Sequence, residues 1–329
     1  MSPRPFSAPL LPRLGRWCLA ALCLAAGGIA QATGFTVLMA DELAAHTEFV
    51  HHLRETQAPG SRIELVRVVR GEAPAEEESA ANVGVRTRSA RATANEDTVA
   101  IAVGAEAARA AIDRPSQAPL LLAMLGRLDY EALRASPALQ RTGRRVGVLL
   151  REPAMADQLV LIDVVLPQKR RLGVVATAES TPLVHELERS AQGWSLQVEY
   201  APDARSLAAA LNAVVARSDA LLVLPDRIGD SQAATLAVLR AGAAAGLPVF
   251  GASEGMVRSG GLAAAVSTPA QLAQQAQALG RRLAAAGGEA LIVEAAAPAT
   301  VRLNATVARG LGLRVPDEQA LTARVTAGK

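Results

Sequence analysis

Cysteine is nearly missing from this chain: 329 residues carry two, Cys18 and Cys23, both close to the N-terminus. Beyond them there is no disulfide, no thiol nucleophile and no thiolate metal site. Aromatic residues make up 2%, which argues against a large aromatic ligand held by stacking. Histidine occurs four times, at His46, His51, His52 and His185. Positions 46 and 51 share a helical face poorly, so the first three read as a solvated helix surface, His185 as structural, and no metal site is expected. The stretch Gly104-Ala105-Glu106 lacks the glycines of a dinucleotide fingerprint. With no Cys nucleophile, His-centred triad or phosphate loop, no enzyme activity and no cofactor is expected.

The N-terminus reads as a targeting segment. Arg4, Arg13 and Arg16 precede an apolar stretch from Trp17 to Ile29, too short to span a bilayer comfortably. Ala30-Gln31-Ala32 places small residues where a signal peptidase cuts, so residues 1–32 are expected to be a cleaved signal peptide; an uncleaved anchor is the alternative. Leu22 before Cys23 and Trp17 before Cys18 argue against lipidation. Removing three Arg and no acid leaves 34 − 3 = 31 Lys+Arg against 31 Asp+Glu. The remaining chain is near neutral, and a nucleic-acid partner loses its support.

Half of the residues are apolar, mostly Ala, Leu and Val, so stability must come from many small aliphatic contacts. Phe35 to Ala40 reads as a buried strand, with a helix following through Phe49, His52 and Leu53. Arg62 to Val69 reads as a second strand. The apolar pattern fails from Arg70 to Asp97, which reads as a long polar loop. Strands are expected at Val99–Gly104, Pro119–Met124 and Arg144–Leu150, with helices at 105–112 and 154–166. Thereafter strands at 171–176, 195–200, 220–224 and 248–251 alternate with helices at 181–191, 206–216, 231–245 and 271–286. Such alternation means βαβ units and parallel sheets, with every strand's C-terminal end on one edge. Two blocks on either side of residue 150 suggest two α/β lobes, and no short-period repeat suggests a solenoid.

The ending is distinctive: Val301-Arg302-Leu303-Asn304, a short helix through Ala308 stopped at Gly312, then Leu313-Arg314-Val315-Pro316. Together with Gly147-Val148-Leu149, Arg170 to Val175, Asp219 to Asp226, Leu247 to Gly251 and Ser259 to Ala263, it resembles the ABC-transporter substrate-binding proteins of the tryptophan and tyrosine type. The resemblance covers roughly residues 145–325. It implies a periplasmic-binding-protein-like fold, α/β with two Rossmann-like lobes whose parallel sheets are joined by a hinge. Lobe 1 is expected at 33–150 plus 264–292 and lobe 2 at 151–263 plus 293–329, with crossings near residues 150, 264 and 293. It further implies a ligand between the lobes at the strand C-termini, buried by hinge closure.

Candidate ligand contacts follow from that geometry, because helix N-termini favour anionic groups and acidic side chains take an ammonium. In lobe 1 they are Asp41, Glu42, Gly104 and Glu106. In lobe 2 they are Ser180, Thr181, Asp226, Arg227, Ser253 and Glu254, of which Asp226 matches a family position. The bland alternative for Asp41, Ser180, Thr181 and Ser253 is helix capping. The resulting expectation is a monomeric periplasmic solute-binding protein presenting a small ligand, with an amino acid as the family-level guess, to an inner-membrane ABC permease. A periplasmic sensor or adaptor signalling to another envelope protein is the alternative.

Overall fold

The computed structural model describes residues 34–56, 63–68, 98–140, 144–288, 290–297 and 300–327. The expected signal peptide and the loop from Arg70 to Asp97 lie outside them.

The first half alternates strand and helix: β1 (Gly34–Met39), α1 (Ala44–Glu55), β2 (Ile63–Arg67), β3 (Thr98–Val103), α2 (Gly104–Asp113), β4 (Leu120–Leu125), α3 (Arg127–Arg134), α4 (Pro137–Gln140) and β5 (Val146–Pro153). There follow α5 (Met155–Val165), β6 (Arg171–Ala176), α6 (Thr181–Ser190), β7 (Ser195–Tyr200), α7 (Ala204–Val215), β8 (Ala220–Val223), α8 (Arg227–Asp230), α9 (Gln232–Ala245), β9 (Val249–Gly251), α10 (Glu254–Arg258) and β10 (Ala263–Val266). The chain ends with α11 (Pro269–Ala285), β11 (Leu291–Ala296), β12 (Thr300–Leu303), α12 (Ala305–Gly310) and α13 (Glu318–Ala327).

These strands form two six-stranded sheets, ordered β11-β5-β4-β3-β1-β2 and β12-β10-β9-β8-β6-β7. All neighbours are parallel except β12, which runs antiparallel to β10. Each sheet is covered on both faces, which is why its strands are apolar throughout rather than at alternate positions. In the first lobe Val99, Ile101 and Val103 join the core beneath α1 and α11, while Ala102 turns to the core beneath α2. In the second, Ala220 and Leu222 point one way and Leu221 and Val223 the other. The side-chain period of two in a strand sorts one apolar run into two cores.

The chain passes from the first sheet to the second after β5, returns after β10, and passes over again after β11. β5 extends to Pro153, β10 lies in the second sheet, and β11 reaches Ala296. Glutamine side chains anchor two of these junctions. Gln158 of α5 donates to the Ala265 carbonyl at 2.6 Å and accepts from the Ala265 amide at 3.1 Å. Gln275 of α11 donates to the Ala295 carbonyl at 2.9 Å and accepts from the Ala297 amide at 2.8 Å. An amide side chain can satisfy both polar groups of a peptide where a strand lacks a partner there.

The lobes also meet through α3 and α6. Arg127 of α3 pairs with Glu186 of α6 at 2.9 Å, and both side chains are mostly buried. The same Glu186 carboxylate accepts from the Met155 amide at 3.1 Å, at the start of α5. Leu128 packs on the second lobe's core.

Candidate functional site

A cavity of about 390 Å³ lies between the two sheets at the C-terminal ends of their strands. The first lobe contributes Ala45, Met124 and the end of β5, Arg151 to Pro153. The second contributes the end of β8 with Gly229 and Asp230, and the turn Ser253-Glu254 with Met256. The returning connection closes one side with Ser267, Thr268 and Pro269. Thr268 caps α11 in a reciprocal pair with Gln271, and Pro269 occupies the first helical position. The helix start is therefore set by the sequence Thr-Pro-x-Gln itself.

The charged groups at the cavity have ionic partners, some within the lining and some outside it. Arg151 Nε donates to Glu152 at 2.6 Å, and its Nη2 lies 3.9 Å from Asp230 of the opposite lobe. Glu152 is nearly buried; burial pushes its carboxyl up, against the opposing pull of Arg151 and the Arg127 amide that donates to it at 3.1 Å. Glu254 pairs with Arg258 at 3.0 Å and lies 3.5 Å from Arg302. The wall between these groups is aliphatic, with Met124, Met256, Val266 and Leu272. Such a cavity binds: apolar walls with a few placed polar groups fix a small molecule's orientation. Among the described residues no group of three or more His, Cys, Asp or Glu side chains is arranged to hold a metal.

Of the ten residues singled out in the sequence, Ser253 and Glu254 line this cavity. Ser253 also caps α10, accepting from the Met256 amide at 3.2 Å. Asp226 and Ser180 lie just behind the wall. Asp226 is 1% exposed; its Oδ1 accepts from the amides of Ile228 at 2.9 Å and Gly229 at 3.2 Å. Its Oδ2 accepts a hydrogen bond from the Ser180 hydroxyl. Burial pushes this carboxyl up despite those three donors. On the outer side Arg227 pairs with Glu179 at 2.7 Å, and the Thr181 hydroxyl donates to the Ala178 carbonyl at 2.8 Å. The Ser180–Asp226 and Glu179–Arg227 pairs tie the turn after β6 to the turn after β8.

The first-lobe residues gather elsewhere. Asp41 Oδ1 lies 2.6 Å from His46 Nδ1 and accepts from the Leu43 amide at 3.2 Å. Gly104 sits under the His46 ring with φ +82°, where an added Cβ would come within 2.5 Å of the ring. Asp41 and Gly104 thus meet through His46, which joins the ends of β1 and β3. The solvated-surface reading fails for His46, which is 8% exposed, because it falls on the same helical face as Phe49, Val50 and Leu53. It holds for His51. Asp41 and Glu42 open onto a second recess beside β2, with Arg54 and Leu65, and Glu42 pairs with the exposed Arg67. Glu106 is exposed in the first turn of α2.

Arg151, Glu152 and Met124 are cavity residues the sequence reading passed over. The first two carried a usable signal, since two charges end the apolar run of β5. Met124 carried none: it has φ +59°, the only positive value at a non-glycine among the described residues, and no residue type announces that.

The sequence model of one family, described as ABC transporter substrate binding protein, matches residues 76–326. The chain belongs to this family. It is a solute-binding, non-catalytic class, generally extracytoplasmic, whose members typically work with ABC permeases. Among the described residues no helix is long and apolar enough to cross a membrane. A ligand-free, open substrate-binding protein with adhesive properties from Clostridium difficile superposes with a TM-score of 0.62 at 16% identity, covering 87% of this chain and 97% of that one. A conserved domain protein from Vibrio cholerae gives 0.54 at 19% identity, covering 89% and 98%. A Streptococcus pneumonia domain in complex with L-Trp gives 0.53 at 15% identity, covering 87% and 96%. At these identities the likeness is one of fold. No curated protein matches the chain.

Proposed function

We propose that this protein captures a small solute in the cavity between its lobes, in the periplasm, and presents the closed, loaded form to an inner-membrane ABC permease. The observation that carries the reading is the cavity itself. It sits where strand ends of both lobes face each other, and residues from both lobes and a connection line it. A solute touching both sides favours the closed arrangement by its differential contacts, and that difference is all a binding event can contribute to closure. A zwitterion such as an amino acid fits, because the wall offers both signs of charge, Arg151 from one lobe and Asp230 and Glu254 from the other. Ser253 and Glu254 contact the solute, while Asp226 and Ser180 hold the turns that carry the wall.

The test is thermal unfolding of the purified protein, first unfolded and refolded to strip any carried solute, against amino acids, sugars, nucleosides and organic anions. A solute that binds only the folded state raises the midpoint saturably. A rise confined to one chemical class supports capture. No rise with any class, in a folded protein, refutes it and favours a sensor or adaptor without a small ligand.

A further inference from the structure

The lining of the cavity also speaks to the kind of solute, an inference that rests on the capture reading above. We propose that the cleft takes a solute with an aliphatic rather than an aromatic side chain, gripped between the thioethers of Met124 and Met256.

Met124 closes the first lobe's core at the cavity and Met256 closes the second lobe's core from the opposite side. Both positions are built at some expense. Met124 holds φ +59°, at a register shift between Ala123 and Leu125 where β4 pairs with β5. A side chain at positive φ is strained, and such strain persists where the surroundings impose it, often at ligand clamps. Met256 lies against Gly251 and Gly261, where any added Cβ would overlap its sulfur or terminal methyl. Two glycines therefore leave room for one thioether.

The rest of the apolar wall is aliphatic, and none of the lining residues is aromatic. A ring placed here finds no aromatic side chain to stack on and only the two thioethers to meet its edge, whereas an aliphatic chain is matched along the whole wall by Val266, Leu272 and the thioethers. Arg151, Ser253 and Thr268 remain for the polar head.

Titration calorimetry on the refolded protein decides, with L-leucine and L-methionine set against L-phenylalanine and L-tryptophan. The aliphatic pair should bind about tenfold more tightly. Met124→Gly removes the side chain while glycine adopts the positive φ freely. The lost core contact should lower the unfolding midpoint, with the φ relief offsetting part of it so that the protein stays folded, while leucine binding weakens about tenfold. Equal or tighter binding of the aromatic pair overturns the inference, as does unchanged leucine affinity in Met124→Gly. Binding of a sugar, nucleoside or organic anion but of neither amino-acid pair also overturns it and leaves solute capture standing. No binding of any class overturns both.

Discussion

Asp226 offers the sharpest test of how the second-lobe wall is held. It is 1% exposed and accepts from two backbone amides, Ile228 and Gly229, and from the Ser180 hydroxyl. Asp226→Ala removes the cap of α8, worth about 0.5–2 kcal/mol, and strands buried donors at about 1–3 kcal/mol. The contributions overlap, so a loss of about 3 kcal/mol is expected, lowering the midpoint by roughly 2–4 °C per kcal/mol. Asp226→Asn keeps the oxygen that caps α8, and its amide can donate to Ser180. That hydroxyl can then turn to Thr177 Oγ1, 2.9 Å away. The Asn variant should lose about 1 kcal/mol or less at neutral pH. The pH dependence has a definite sign. Burial raises the folded carboxyl above its ordinary 3.8, so its stabilising contribution is fully present below that value and is lost as pH rises through the folded pKa. The advantage of wild type over Asp226→Asn should therefore shrink between pH 4 and pH 7. Urea unfolding at both pH values measures it. The reasoning fails if Asp226→Ala stays within about 0.5 kcal/mol of wild type, or if the gap to Asn widens with pH.

Three further expectations concern other parts of the frame. Arg127→Gln and Glu186→Gln should show a coupling of about 1 kcal/mol in a double-mutant cycle of urea unfolding, because the pair is mostly buried and spans the lobes; zero coupling would mean it does not tie them. Hydrogen bonds from Arg171 hold the Asp219 carboxyl down at about 2. Its contribution, roughly 1 kcal/mol given solvent screening of the exposed Arg171, is present above pH 3.8 and lost as pH falls toward about 2. Acid unfolding of wild type and Asp219→Asn in parallel across that window would contradict this. Gly104→Ala meets both a positive φ and the His46 ring, so calorimetry should show a loss of about 2 kcal/mol or more, and a neutral result would refute the packing described there.

Most of the two-sheet plan was legible because both faces of each sheet are covered, leaving uninterrupted aliphatic strands between helices. The strands missed are those without that mark. β10 is Ala-Ala-Ala-Val, and alanine is the strongest helix former; burial between β9 and β12 decides the matter. β11 is an edge strand with Leu291 56% exposed and Glu294 in its middle, so its pattern is neither core nor alternating. α13 follows Pro316 with a capping aspartate, since Asp317 accepts from the Ala320 amide at 2.8 Å, a start signal that was present and unused. His46 is the instructive case at the site: its spacing to Phe49, Val50 and Leu53 is that of one buried helical face, a better guide than its spacing to His51. Asp226 and Ser180 were recognisable as turn residues, but not that they would bond to each other across 46 positions, because that contact belongs to the sheet order.

The most direct test of the clamp is small-angle scattering of the refolded protein with and without the solute that raises its unfolding midpoint. Capture by lobe closure predicts a smaller radius of gyration at saturation, with the same solute concentration dependence as the stabilisation. A radius unchanged on saturation would contradict closure around the cavity between the lobes.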